Sequence, residues 1–292
     1  MSANTHQIIA LAHVVREGSI SGAARLMGVS QSAVSQHISK LERQVGAQLL
    51  VRGRDGIGLT TVGQELYQLA DQYASLDQQI TERLRGHAAL EHGHLTIIAN
   101  APQPALGLVE RYTARYLNIS VDFTLFDWAS AMERLRERRC DIGIVSEPSK
   151  QADLYIRQIA EARYVLYARS DHPLAHRNKV SLVEIAKETL LLPEKGSLTQ
   201  RVVTKALADQ ELRPRRMVTM TTFPVMKEAI LQGIGVGIFL EASSVAGTRL
   251  REIPIKELTK PFATCVVVPK HKLGLRITKS FLSVLDEAPS LE

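Results

Sequence analysis

The chain has 292 residues, of which 45% are hydrophobic and 23% charged, a balance typical of a folded globular protein and unlike that of a disordered one. No apolar run approaches the roughly 20 residues of a membrane span and no secretory leader is evident, so we expect a cytoplasmic protein with no membrane partner. The formal net charge of +6 favours a polyanionic partner such as nucleic acid. The length predicts two or three domains.

The two cysteines, Cys140 and Cys265, lie far apart and lack the spacing of a zinc site or a disulfide framework. We therefore expect buried thiols, no metal site and no cofactor. A thiol redox sensor is a minor alternative, because such a sensor needs a reactive pair and neither cysteine has a partner nearby in the sequence.

Three short helices are predicted at the start of the chain. The first covers residues 7–17, and the second, which Ser21 can cap, covers residues 22–27. The third covers residues 31–45, with Ser30 as its N-cap. Glycines between and after these helices supply the turns.

The third helix is predicted to have two contrasting faces. Its apolar face consists of Val34, Ile38, Leu41 and Val45. Its polar face consists of short hydroxyls, amides and two cations, namely Gln31, Ser32, Ser35, Gln36, Ser39, Lys40 and Arg43. Such side chains suit a helix that enters the major groove, because Gln can pair with adenine and Ser can contact a base or a phosphate. A solvated helix rich in hydroxyls would look the same, so this helix alone leaves both interpretations open.

Two short extended pieces follow and flank a turn at Arg54, Asp55 and Gly56. They predict a two-stranded wing that carries Arg52 and Arg54. Three helices, a glycine turn and a basic wing are together typical of a winged helix-turn-helix, which we expect to cover residues 1–63. An all-α winged head of this kind favours DNA binding.

A long helix is predicted from residue 62 to residue 90. Its apolar residues step by three or four, close to a heptad pattern, at Val62, Leu66, Leu69, Tyr73, Leu76, Ile80 and Leu84. We expect residues 64–92 to form a linker helix that buries this stripe in a homodimer. Packing of the stripe on the chain's own C-terminal region is the alternative.

Beyond Gly93, short apolar strands alternate with helices, which implies an α/β region with parallel sheets and ligands at the carboxyl ends of the strands. The expected strands are HLTIIAN, VDFTLF, DIGIVS, YVLYA, TLLLP, GVGIFL and ATCVVV. The region contains no GxSxG, P-loop or metal cluster, so we predict no catalytic residues and no enzyme. A small-molecule-binding protein or an enzyme built on this region alone remains the alternative function.

The N-terminal part resembles the DNA-binding domain of the LysR-type transcriptional regulators. The likeness runs from Gln7 to Gly63 and rests on the spacing of 23–41, Leu41-Glu42, Gly46, Leu49, Arg52 and the LTTVG run at 59–63. It implies that Gln31, Ser32, Ser35 and Gln36 face the major groove and that Arg52 and Arg54 meet the DNA backbone or minor groove. It also implies a dimerising linker helix, a homotetramer and contact with RNA polymerase. Ser32 and Gln36 stand where relatives often have Pro and Arg, so the base preference cannot be copied from them.

The same resemblance implies a C-terminal effector domain of two α/β lobes similar to periplasmic binding proteins. The first lobe would cover about residues 93–163 and 265–292, and the second about 164–264. Three strand ends stand directly before helix starts, whose free N–H groups favour an anionic effector. These predicted binding residues are Asn100, Ala101, Pro102, Gln103, Gly196, Ser197, Leu198, Thr199 and Phe223. Ordinary helix capping is the alternative for each segment.

The second lobe is similar to the branch of the family associated with aminoethylphosphonate catabolism. A phosphonate could lie on the helix starts that bear hydroxyls, beside Ser146, while an ammonium could meet Asp127, Glu147 or the face of Trp128. Helix packing by Trp128 and ordinary helix-terminal charges are the alternatives. The sequence thus predicts a DNA-binding regulator controlled by a small anionic effector.

Overall fold

A computed structural model describes residues 4–53, 56–84, 93–244 and 249–286, with the backbone alone at 52 and 53. Its first part is a three-helix head with a two-stranded wing. The elements are α1 (Thr5–Glu17), α2 (Ile20–Met27), α3 (Gln31–Val45), β1 (Leu50–Gly53) and β2 (Gly56–Leu59). The two strands pair antiparallel. All three helices contribute to one apolar core, which includes Leu11, Val14, Ala23, Val34 and Leu41.

Two details of the head differ from the sequence prediction. Ser19 rather than Ser21 caps α2, because the Ser19 hydroxyl accepts the N–H of Gly22 at 3.0 Å and the helix begins at Ile20. Val45, expected on the apolar face of α3, is 41% exposed, since it is the last residue of the helix and lies beyond the core.

A long helix, α4 (Thr61–Leu84), leaves the wing at a close backbone contact. A Cβ atom at Gly63 would lie 2.0 Å from the carbonyl oxygen of Leu49, so only glycine lets the helix approach the wing there. The predicted extension of this helix to residue 90, and of the linker to residue 92, falls outside the described residues.

The rest of the described chain forms two five-stranded sheets flanked by helices. The first lobe contains β3 (Gly93–Ala99), α5 (Ala105–Arg115), β4 (Ile119–Leu125), α6 (Trp128–Arg136), β5 (Ile142–Ser146), β6 (Leu154–Ala162), β12 (Phe262–Pro269), a 3-10 turn (Lys270–Lys272) and α10 (Arg276–Asp286). The second lobe contains β7 (Tyr164–Arg169), a 3-10 turn (Pro173–His176), α7 (Leu182–Ile185), β8 (Thr189–Pro193), α8 (Leu198–Ala208), β9 (Arg216–Met220), α9 (Phe223–Leu231), β10 (Val236–Leu240) and β11 (Leu250–Pro254). Each lobe encloses its own apolar core.

The expectation of parallel sheets is only half correct, because each sheet is mixed. In the order β4-β3-β5-β12-β6, β3 pairs parallel with β4 and β5, whereas β12 runs antiparallel to both of its neighbours. In the order β11-β7-β10-β8-β9, β7 is antiparallel to β10 and β11. The antiparallel pairs arise where the chain passes directly between sheets, without a crossover helix to reverse its direction.

The chain crosses between the lobes in two places. It passes from β6 to β7 at Arg163, and it returns to the first sheet at Phe262, which pairs with Ala162. The return was expected at residue 265, but β12 begins earlier because its first residues already pair with β6. The two-lobed α/β fold class, with its winged helical head and linker helix, is confirmed.

Candidate DNA-binding face and effector cleft

The polar face of α3 lies on the outside of the head. Its residues Gln31, Ser32, Gln36, Ser39, Lys40 and Arg43 are exposed, and Ser35 is half-buried. On the opposite face, Val34, Ile38 and Leu41 are buried in the core, so the helix is held from behind. Ser30 begins the helix by accepting the N–H of Ala33 at 3.2 Å. The structure therefore brings this predicted set together on one open surface.

Basic side chains are exposed on more than one element of the head. Arg43 lies along α3, where its Nε donates to the carbonyl of Ser39 at 3.3 Å. Arg25 is exposed in the last turn of α2. The side chain of Arg52 and the whole of Arg54 lie outside the described residues.

One face of α4 is apolar and open to solvent. Leu69 is 65% exposed, Leu76 56% and Leu84 83%, and Val62, Tyr73 and Ile80 are exposed beside them. Leu66 differs, because it packs against the core of the head. The alternative that this stripe packs on the chain's own second region is therefore not what the structure shows, although another face of α4 does contact the first lobe.

That second face carries a buried polar cluster that joins α1, α4 and the first lobe, and we name it the junction. Asp71 of α4 is fully buried and accepts from Arg16 Nε of α1 at 2.7 Å and from His271 Nε2 of the first lobe at 2.6 Å. Burial alone would raise the pKa of Asp71, but the charges of Lys272 and Arg16 and the hydrogen bond from His271 hold it well below its usual range.

Lys272 and Asp141 form a second buried ion pair next to the junction. Lys272 Nζ donates to the Asp141 carboxylate at 2.8 Å and to the carbonyl of Cys140 at 3.1 Å, and the lysine is only 1% exposed. Burial would raise the pKa of Asp141, yet the positive charges of Lys272 and Arg16 keep it low. Sequence reasoning did not find this cluster.

Hydrogen bonds between side chains and backbone atoms extend the junction along α4. The Tyr67 hydroxyl donates to the carbonyl of Arg138 at 3.1 Å, and Arg138 Nη1 donates back to the carbonyl of Gln68 at 2.9 Å. Near its end, α4 carries Glu82, which accepts the N–H of Arg276 at 3.0 Å. The linker helix thus lies docked along the first lobe.

The predicted effector residues surround a narrow cleft between the lobes, with a cavity of about 70 Å³. The first lobe contributes Asn100, Ala101, Pro102, Asp127, Trp128 and Ser146, and the second contributes Ser197, Leu198, Thr199 and Phe223. The convergence inferred from the resemblance is seen for the starts of α8 and α9. The third segment contributes residues 100–102, but α5 itself begins later, at Ala105, and its start does not line the cavity. Ser197 caps α8 by accepting the N–H of Gln200 at 3.1 Å, as the capping alternative anticipated.

Three predicted residues do not line this cavity, namely Gln103, Glu147 and Gly196. Glu147 is turned towards the crossing strand instead, where its carboxylate accepts the N–H of Ala263 at 2.7 Å. Gly196 supplies the left-handed turn before α8, with φ of 95°. Aromatic walls that the prediction missed are Phe126, Tyr164 and Phe239. They looked like ordinary core residues of strands and loops in the sequence.

Asp127 and Trp128 both have partners within the protein. The Asp127 carboxylate caps α6 by accepting the N–H of Ser130 at 3.0 Å. The Trp128 indole donates to the carbonyl of Ser146 at 2.7 Å, and the guanidinium of Arg201 lies 4.6 Å from its ring centre. One face of this indole is therefore covered by the protein's own cation, which counts against the ligand ammonium expected there.

The cysteine environment disfavours thiol chemistry. Both Cys140 and Cys265 are buried free thiols. Burial raises the pKa of Cys140 to about 12 and also raises that of Cys265, so both stay protonated near neutral pH.

In the described part of the chain, no group of three or more His, Cys, Asp or Glu could hold a metal ion. Likewise, no helix within those ranges is long and apolar enough to cross a membrane.

Comparison with known proteins yields matches over most of the chain. The family described as bacterial regulatory helix-turn-helix protein, lysR family, matches residues 5–64, and the family described as LysR substrate binding domain matches residues 88–290. The transcriptional regulator CysL of Bacillus subtilis is 29% identical over 231 residues, which cover 77% of this chain and 76% of that protein.

Solved structures share the fold. A full-length OxyR variant from Pseudomonas aeruginosa superposes with a TM-score of 0.79 at 16% identity, covering 99% of this chain and 97% of that one. The regulatory domain of CcmR from Synechocystis PCC6803, solved in complex with 2-PG, gives a TM-score of 0.58 at 24% identity, covering 66% of this chain and 96% of that one. Because both domains match, the chain belongs to the LysR family of DNA-binding transcriptional regulators, whose members act as oligomers, respond to small-molecule effectors and are not enzymes.

Proposed function

We propose that this chain is a sequence-specific regulator in which α3 reads base edges in the major groove. The observation that carries this proposal is the exposed face of short hydroxyls and amides on a helix whose other face is buried in the head. Short side chains let the helix backbone approach the bases, and Gln31 and Gln36 supply paired donors and acceptors. Lys40, Arg43 and the wing residues Arg52 and Arg54 would neutralise phosphates.

The test compares two kinds of substitution on an operator selected from a random DNA pool with the full chain. Gln31→Ala should lower the ratio of specific to random affinity by roughly 5- to 100-fold, because it removes a base contact. Arg43→Gln, and by the family resemblance Arg52→Ala, should weaken both DNAs alike and reduce the salt slope by about 1. Equal losses for Gln31→Ala on both DNAs, or an affinity that does not depend on salt, would contradict the assignment.

We also infer that the exposed stripe of α4 is the dimer seam, because so many large apolar side chains on one helix need a partner. Two such dimers would make the tetramer of the family. Leu76→Asp should shift the mass in solution towards the monomer, measured by analytical ultracentrifugation. Gln78→Asp, exposed on the same helix but nearly opposite the stripe, is the matched control and should leave the mass unchanged.

The effector we propose is a small organic anion with a phosphonate or phosphate group, such as 2-aminoethylphosphonate. Its support is the convergence of the starts of α8 and α9, with the hydroxyls of Ser197 and Thr199, on one cleft. The complex of the CcmR regulatory domain with 2-PG adds support from a relative of the same fold. Of the two acids considered for an ammonium group, Asp127 is the one that lines the cleft.

A thermal-shift and calorimetric titration series tests this effector. 2-Aminoethylphosphonate should raise the melting temperature of the full chain more than ethylphosphonate does, and inorganic phosphate should act least. Ser197→Ala should weaken all three ligands, because it removes a hydroxyl donor from the site. If wild type and Ser197→Ala bind the three ligands equally well, the effector site does not include Ser197.

The alternative function, an enzyme built on the α/β region, is not favoured.

Effector binding would then close the lobes and change how the dimers are arranged, and with that the DNA bend presented to RNA polymerase. Footprints and bend angles with and without the effector measure this change. An effector that binds the cleft yet alters neither of them would contradict the mechanism.

A further inference from the structure

The indole of Trp128 is held rigidly at the cleft by its own lobe. Trp128 is the first residue of α6, whose start is capped by Asp127, and its Nε1 donates to the carbonyl of Ser146 at the end of β5. Two elements of the first lobe thus set the position and tilt of the ring. The ring lines the cavity between the lobes and presents one face towards the second lobe.

The second lobe covers that face with a cation. Arg201 lies in the first turn of α8, where its N–H donates to the carbonyl of Ser197 at 3.1 Å, and its guanidinium lies 4.6 Å from the indole centre. A guanidinium over an aromatic face is attracted by the ring quadrupole. Because the indole belongs to one lobe and the cation to the other, this contact spans the cleft.

The charge of Arg201 does not stabilise α8. A helix start carries a partial positive charge, so a cation in the first turn opposes the helix dipole. The same start, with Ser197 and Thr199, lines the cavity, and its dipole together with Arg201 adds positive potential at the rim. An oxyanion in the cavity would complement both charges.

The cavity beneath this contact is small. Its volume of about 70 Å³ is well under the roughly 300–1,000 Å³ of common ligand pockets, and its walls include the rings of Trp128, Tyr164 and Phe239. With the two lobes in this position, the space suits one tetrahedral or planar oxyanion group with few further atoms.

We propose that Trp128 and Arg201 form a latch that closes the cleft and determines its specificity, admitting small oxyanions and rejecting larger ones. The proposal rests on the assignment of the cleft as the effector site and adds to it the size limit and the residues that impose it. The chain contains a single tryptophan, so its fluorescence reports on this contact alone.

The first experiment needs no ligand and measures acrylamide quenching of Trp128 in the full chain. Arg201→Gln should raise the fraction of open molecules about two- to fivefold and increase quenching accordingly, because an exposed cation–π contact is lost. Lys205→Gln removes the same charge from an exposed position one turn further along α8 and should leave quenching unchanged. Equal quenching in wild type and Arg201→Gln would overturn the latch.

The second experiment tests the size limit by calorimetry with methylphosphonate and phenylphosphonate. Wild type should bind the methyl compound at least tenfold more tightly, and Trp128→Leu, which keeps an apolar wall, should remove this preference. Equal affinities in wild type would overturn the size limit, as would a preference that survives in Trp128→Leu. Failure of both phosphonates to bind wild type would overturn the proposed effector and with it the size limit, whereas the quenching result would still decide the latch.

Discussion

The first lobe makes two contacts of opposite character. Against α4 it buries charge, since Asp71 of α4 accepts from His271 of the first lobe as well as from Arg16 of the head, beside the Lys272–Asp141 pair within the lobe. Against the second lobe it makes the crossing strands, a narrow cleft and the stacking of Trp128 on Arg201, whose side chain is exposed.

This difference between the two contacts indicates which parts of the molecule can move relative to one another. Separating a buried ion pair leaves charges without partners and is strongly unfavourable, whereas opening an exposed stacking contact costs little. The head, α4 and the first lobe should therefore move as one body, and the second lobe should move against them. The following predictions test that contrast, beginning with the largest expected effect.

Asp71→Ala should lower the free energy of unfolding by about 3–5 kcal/mol, because Arg16 and His271 would remain in the junction without their buried carboxylate. Urea denaturation of the full chain measures the loss. Asp77→Ala changes an exposed carboxylate on the same helix and should stay within about 0.5 kcal/mol of wild type. A loss for Asp71→Ala as small as that of the control would contradict the contrast.

Acid should weaken the junction side through His13 of α1, which lines a cavity between the head, α4 and the first lobe. Burial, with the nearby charge of Arg16, lowers the pKa of His13 from 6.5 to about 4. The unfolded chain therefore takes up the proton more readily, and stability that is full above pH 6.5 declines as the pH falls towards 4, by about 3 kcal/mol.

Denaturation curves between pH 7.5 and 4 measure this decline, and His13→Gln should flatten it. Asp71 does not contribute in this window, because its lowered pKa places its loss of stability below its ordinary value of 3.8. A slope that persists in His13→Gln would assign the proton uptake to another group.

On the cleft side, Phe262→Leu should cost about 1 kcal/mol. Phe262 of β12 packs against the core of the second lobe and meets the ring of Tyr164 edge-on, with ring centres 4.9 Å apart. The same variant should open the cleft, which small-angle scattering detects as a larger radius of gyration. A cost that equals that of Asp71→Ala would remove the asymmetry between the two contacts.

The smallest effect is expected at the edge of the junction. Glu82→Gln keeps an oxygen that can accept the N–H of Arg276, so the loss should be no more than about 0.5 kcal/mol and should vanish at high salt. The measurement is urea denaturation at two salt concentrations. A loss that persists at about 1 M salt would place Glu82 within the buried part of the junction.

Local pattern explains what could be predicted from the sequence. The faces of α3 follow from a period of about 3.6 residues within one helix, and its cap and end come from Ser30 and Gly46 in the expected places. The stripe of α4 follows from the same rule. The division into lobes came from the family resemblance, because alternating strands and helices fit one large domain equally well.

Long-range contacts explain what could not be predicted. Asp71 lies between Leu69 and Tyr73 of the stripe, where an acid reads as an ordinary surface residue, and its partner His271 is 200 positions away. In the cleft, the contact between Arg201 and Trp128 joins residues 73 positions apart, which no local pattern reveals. Strands β6, β9 and β11 are absent from the predicted strands. Each lies at the edge of its sheet, where exposed residues such as Arg216 and Met217 of β9 obscure the apolar pattern.

Because α4 meets the wing so closely at Gly63, the helix fixes both the angle and the distance between the head and the apolar stripe. An α-helix turns about 100° and rises about 1.5 Å per residue, and the wing fixes the head to the first turn of α4. In the proposed dimer, the six positions from Gly63 to Leu69 place the wing contact about 240° around α4 from that leucine and about 9 Å along the helix, and Arg16 holds the same orientation at Asp71. In that dimer, the distance between two half-sites on DNA would depend on the number of residues that separate Gly63 from Leu69, the first exposed leucine of the stripe.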